Sequence, residues 1–193
     1  DGGISDMLPY LGRFLIVLMA IGFLSVFIWS ARPRIYEDIS QVFLIAIILL
    51  LVLGAAFLLR QAKATEYLIP IALASLLLTV FFDYQLAFAG TVSLALLLGG
   101  MAGNQFSISF ITIVVGAMSI VAVSRVRSRS WIFKAILFIF IGYVFAICSI
   151  GFVRYSPLSE MAMAWLFGGI NALLCPVLSY GLMVFLEYLF DVT

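Results

Sequence analysis

The sequence contains no histidine, and its ten basic and nine acidic residues make up only 10% of 193 positions, against about 25% in ordinary soluble domains. Without imidazole there is no Ser-His triad and no His-based general acid or base. Metal sites that need imidazole are excluded too, among them the His-Asp sites of metal phosphohydrolases. A net charge of +1 leaves no basic field for nucleic acid and no acidic tail. Cysteine is scarce, and both Cys148 and Cys175 fall inside long apolar runs. That excludes a CxxC redox pair and predicts two buried apolar side chains. What is abundant is hydrophobicity, at 66% of all residues. The chain reads as an all-α integral membrane protein with no catalytic residue, cofactor or metal site of its own.

Crossing about 30 Å of hydrocarbon takes about 20 helical residues, so the few charges mark where crossings end. Uncharged runs of 18 residues from Phe14 to Ala31 and 21 from Ile39 to Leu59 predict spans one and two. Trp29 stands where cleavage after Ala31 would need a small residue, which argues against a signal peptide. Span three is expected over 67–82, starting near Pro70, since proline is tolerated in the first turn of a helix. The 41 uncharged residues from Tyr84 to Ser124 are too long for one crossing, and Gly99 to Gln105 breaks them. They become spans four (84–98) and five (106–123), joined by a tight turn. Spans six (135–153) and seven (161–186, interrupted by Pro176) complete a seven-helix bundle forming a single transmembrane domain over 1–193. Opening at Asp1 in place of Met is what a piece of a larger polypeptide would show.

Seven crossings put the termini on opposite sides. With the N-terminus outside, the cytoplasmic loops hold Arg32, Arg34, Arg125, Arg127, Arg129 and Lys134, against Arg13, Arg60, Lys63 and Arg154 outside. The excess, and the dense basic loop at Arg125, Arg127, Arg129 and Lys134, favour N-out and C-in. Trp29, Tyr36, Tyr67, Tyr84, Trp131 and Tyr188 fall near span ends, where amphipathic rings anchor at the headgroups.

Span seven lacks the lysine of a retinal protein, and no pair of facing carboxylates suggests an aspartyl protease. The polar feature at mid-span is Asn171, five residues before Pro176. It is a candidate interhelical hydrogen bond, with Pro176 a candidate pivot. Ala164, Gly168 and Ala172 form a small-residue stripe on the same span, suited to close packing within the chain or in a homodimer. Glu66 and Asp83 flank span three; Asp83, followed by Tyr84, is a candidate corner residue that accepts backbone hydrogen bonds.

Two strings carry a resemblance: Thr65-Glu-Tyr-Leu-Ile-Pro-Ile-Ala-Leu-Ala-Ser-Leu-Leu-Leu-Thr-Val-Phe-Phe-Asp-Tyr84 and Leu186-Glu-Tyr-Leu-Phe-Asp-Val-Thr193. With Pro9-Tyr-Leu-Gly-Arg-Phe14, Arg32-Pro-Arg-Ile-Tyr36 and Gly103-Asn104, the chain resembles the membrane domain of the seven-transmembrane HD-hydrolase receptors, similar to PgpH-type cyclic-di-AMP phosphodiesterases. The resemblance implies a bacterial cytoplasmic-membrane protein with an exterior sensory domain before residue 1. It also implies a cytoplasmic HD domain after residue 193, reached through Glu187 and Asp191, with a divalent metal pair that hydrolyses cyclic di-AMP. The chain's partners would then be the bilayer, those two domains of the same polypeptide and a possible second copy. Two other functions fit the same residues: a small-solute or lipid transporter, and a passive anchor for the hydrolase.

Overall fold

The computed structural model describes residues 7–124 and 131–190, and every regular element in them is helical. In chain order these are α1 (Leu8–Ala31), α2 (Pro33–Glu37), α3 (Ile39–Gln61), a 3-10 turn (Glu66–Leu68) and α4 (Ile71–Phe81). They continue as α5 (Tyr84–Met101), α6 (Phe106–Ser124), α7 (Trp131–Arg154) and α8 (Leu158–Phe190). Six of them, α1, α3 and α5 to α8, are long and apolar enough to cross a bilayer among the described residues. The protein is a multi-pass membrane protein.

The expected third span differs from this pattern. Its α-helix has only 11 residues, about 17 Å at 1.5 Å per residue and too short to cross by itself. Pro70 is the N-cap rather than a first-turn residue. Proline disfavours the α region for the residue before it, and Ile69 is accordingly extended at φ −62°, ψ 124°. The helix therefore cannot begin at Tyr67. At the other end, Phe82 leaves the helical region and Asp83 starts α5.

What α4 lacks in length it recovers in burial. Every residue from Ile71 to Leu78 is buried, whichever way it points, as an apolar helix surrounded by others requires. It packs against α3, α5, α6 and α8 and forms the centre of the bundle. By contrast α1 buries only Ala20, Leu24 and Ile28, one narrow stripe four residues apart, and leaves Leu18, Phe23 and Trp29 exposed for lipid to cover.

Span four is also longer than expected. Helix α5 continues through Gly99 and Gly100 to Met101, because a glycine pair weakens a helix by only about 1 kcal/mol per residue and packing overrides it. The turn comes at Gly103 and Asn104, both at positive φ (78° and 63°), a region glycine and asparagine tolerate. The remaining helices extend past their expected limits by one to six residues, α1 most at its start and α8 by three residues at one end and four at the other.

Close packing at the centre depends on small side chains. A Cβ on Gly116 of α6 would stand 2.3 Å from Thr91 Cγ2 and 2.8 Å from Ser75 Oγ, and those two residues share a buried 2.7 Å hydrogen bond between α4 and α5. Gly116→Ala is expected to destabilise the bundle by about 1–3 kcal/mol, read as a shift in the SDS-unfolding midpoint. An unchanged midpoint would show that α4, α5 and α6 are not packed this closely.

Candidate functional site

The break before α4 leaves backbone groups that have no helical partner, and α8 supplies partners for them. Asn171, one residue before Ala172 on the small-residue stripe, places Nδ2 2.9 Å from the Tyr67 carbonyl and 2.6 Å from the Ile69 carbonyl. The same nitrogen lies 2.8 Å from the Tyr143 hydroxyl of α7. Its two hydrogens thus serve three oxygens, one of them in a shared bond. Oδ1 accepts from the Cys175 thiol at 2.9 Å, one helical turn on. Asn171, steadied by Cys175 one turn on, thus forms a bracket on the carbonyl side of the break.

Packing holds this bracket in place. Ala164, Gly168 and Ala172 are buried, and a Cβ on Gly168 would stand 2.9 Å from Tyr143 Cγ. The stripe thus faces α7 of the same chain, and closeness there brings the Tyr143 hydroxyl to Asn171. Pro176 is buried within α8, where it removes the N–H that would bond the Ala172 carbonyl.

Asp83 works at the opposite end of α4. Its Oδ1 accepts from Leu86 N at 2.8 Å, capping α5, and its Oδ2 accepts from Arg32 Nε at 2.6 Å. Arg32 also donates to Gln85 Oε1 at 2.8 Å. One carboxylate thereby ties the end of α1 to the α4–α5 corner, with Tyr84 exposed beside it. At the other end of the bundle Arg60 donates to the Met101 carbonyl and Arg154 to Ser107 Oγ. Glu66 is half-buried there; desolvation raises its carboxyl above the ordinary 4.5, against a lowering pull from Arg154.

Of the other candidates, Glu187 is half-buried near the end of α8 and Lys134 is exposed on α7. Arg125, Arg127, Arg129 and Asp191 lie outside the described residues. Tyr143 and Cys175 join the site although composition singles out neither for a polar role; the signal was their register with Asn171, which only the packing of α7, α8 and α4 reveals. Among the described residues no three His, Cys, Asp or Glu side chains gather as a metal site. This arrangement holds backbone carbonyls through a side-chain amide.

A family model described as 7TM receptor with intracellular HD hydrolase matches residues 7–193. No curated protein and no solved structure gives a match.

Two outcomes are expected. Asn171→Leu leaves two carbonyls and a hydroxyl buried without their donor and is expected to cost about 2–3 kcal/mol. Asn171→Asp, which turns an acceptor towards the same oxygens, should cost more; SDS or thermal unfolding of both variants, compared with the wild type, measures this. The raised Glu66 carboxyl binds its proton more tightly folded than unfolded. Its stabilising contribution is thus complete below about 4.5 and lost as pH rises through the folded value. Glu66→Gln should flatten the pH dependence of the thermal midpoint above pH 4.5; an unaltered profile would assign that dependence elsewhere.

Proposed function

The chain belongs to the family of 7TM receptors with intracellular HD hydrolase, and from that premise we propose that it is the transmembrane sensing and signalling module of a bacterial cyclic-di-AMP phosphodiesterase. Catalysis belongs to the hydrolase. This chain has no histidine and, among its described residues, no acidic grouping to suit the divalent metal pair of an HD site, so its role is to anchor and control. An exterior domain supplies the signal and the cytoplasmic membrane of the bacterium holds the bundle.

In this reading the chain crosses seven times, N-out and C-in. Six crossings are the long helices, and the third combines the extended stretch around Tyr67 to Pro70 with α4. Non-helical backbone at membrane depth is tolerated where protein covers it, which the bracket of Asn171 and Cys175 supports. The excess of arginine and lysine in the loops assigned to the cytoplasm supports the orientation.

The observation that carries the proposal is the double role of α8. Its 33 residues reach about 50 Å, beyond the roughly 30 Å that a bilayer needs, and the surplus extends towards the hydrolase. The same helix holds the break beside α4, so a shift or turn of α8 cannot leave the core unchanged. Pro176 lies one residue beyond Cys175 and supplies a pivot. A transporter would share the broken segment, but here Asn171 already occupies the two carbonyls that would coordinate a cation.

The test uses the full-length parent protein, loaded with metal and assayed for conversion of cyclic di-AMP to the linear dinucleotide. Pro176→Ala and Gly168→Leu are expected to change the hydrolysis rate by about fivefold or more, the low end of ordinary coupling free energies. Unchanged rates and regulation in both variants would leave a passive anchor, and an intact protein without dinucleotide hydrolysis would overturn the assignment.

A further inference from the structure

A two-lobed recess opens at the bundle end that carries Arg154. One lobe, about 190 Å³, lies between the 3-10 turn, the end of α7 and the start of α8, and is lined by Tyr67, Gly151, Arg154, Ser156 and Glu160. The second, about 360 Å³, shares Tyr67, Glu160 and Ala164 with the first and continues along Met163 and Phe167 of α8. Glu160, Met163, Ala164 and Phe167 follow helical spacing on one face, so the recess descends from a charged mouth into an apolar trough. Met163 is 56% exposed at its wall, which leaves the trough open sideways to hydrocarbon.

The mouth holds Arg154 and Glu160, which form no ion pair with each other, and Arg154 also attracts the half-buried Glu66 beside Tyr67. Among the described residues the ion pair within 4.0 Å is Arg32–Asp83. Arg154 donates to the neutral Ser107 hydroxyl and has donors left for an anion. Glu160 is exposed across the same lobe. A ligand that complements both must carry an anion and a hydrogen-bonding cation close together, with an apolar tail for the trough.

We infer that this recess holds one aminophospholipid of the surrounding leaflet. Its phosphate meets Arg154, its primary ammonium meets Glu160, and the upper part of one acyl chain lies along Met163 and Phe167. Charge complementarity selects this headgroup. A glycerol headgroup lacks the cation, and a choline headgroup has no N–H to donate to Glu160. The occupant touches the Tyr67 turn, whose carbonyl Asn171 holds.

The experiment compares phosphatidylethanolamine, phosphatidylcholine and phosphatidylglycerol of identical chains, added to the detergent-purified chain. Native mass spectrometry reads retained lipid and thermal unfolding reads the midpoint. Phosphatidylethanolamine is expected to be retained at one per chain and preferred by about two- to fivefold, the range an exposed ion pair supplies. Glu160→Gln should abolish the preference over phosphatidylcholine, and Arg154→Gln should reduce retention of both. Since Glu160 is exposed and bonds to no other side chain among the described residues, its variant keeps the test sound if Arg154→Gln fails to fold. Equal retention of the three lipids, or a preference that survives Glu160→Gln, would overturn the assignment. So would equal protection by water-soluble glycerophosphoethanolamine, which would show that the trough holds no chain.

Discussion

The break before α4 is the constraint around which the bundle is organised. Pro70 has no N–H and Ile69 is extended, so the chain enters the core with carbonyls and amides that no helix satisfies. In a bilayer water does not reach such groups, and each one left unpaired costs several kcal/mol. Asn171 meets this cost for the Tyr67 and Ile69 carbonyls from α8, and Tyr143 of α7 and Cys175 one turn on complete its network. Those three contacts fix the height and rotation of α8 against α4 and α7 together. The small residues of the stripe follow from the same requirement, since a larger side chain at Gly168 would push Tyr143 away from the amide it meets.

The two ends of the bundle are held differently. At one, Asp83 combines a backbone cap with a charge-assisted bond to Arg32, geometry in which both partners are partly shielded, with 35% and 27% of their side chains exposed. At the other, arginines bond to neutral groups, a carbonyl and a hydroxyl, and the carboxylates nearby remain unpaired among the described residues. At the first end Arg32 and Asp83 are thus engaged with each other while Arg34, Glu37 and Lys134 stay exposed, whereas at the second Arg154 bonds to a neutral hydroxyl.

Much of this was legible in the sequence. Charge-free runs located the six long helices because in a membrane hydrophobicity is required along the whole length and a charge is expensive anywhere within it. Asp83 as a corner and Asn171 as an interhelical donor follow from their lone positions in apolar surroundings. The third span is helical over only part of its expected length for a physical reason: an uncharged run records that a segment is buried from water but not whether its backbone is helical. Pro70 carried the warning, since a proline inside a run of 16 residues stops a helix as readily as it starts one. The expectation of two buried cysteines holds for Cys175, which is fully buried, whereas Cys148 is only half-buried. The bonds of Asn171 to the Tyr67 and Ile69 carbonyls depend on neighbours about a hundred residues earlier, which no local pattern encodes.

A membrane helix that transmits a signal must have two arrangements of similar free energy, and a ligand shifts their populations only by its differential affinity for them. Most helix contacts here are apolar and change gradually with displacement. The bracket on α8 behaves otherwise, because hydrogen bonds weaken steeply once distance and angle leave their narrow range, and two carbonyls, the Tyr143 hydroxyl and the Cys175 thiol lose their partner together if Asn171 moves. That makes release of the break cooperative and costly, so a second arrangement must offer those groups other partners. Asn171 can keep one carbonyl while surrendering the other, since its nitrogen already spans both Tyr67 and Ile69. A small rotation of α8 about Pro176 would exchange one set of bonds for another without stripping the break bare. The feature that stabilises the fold is thus also the one that can give it two states.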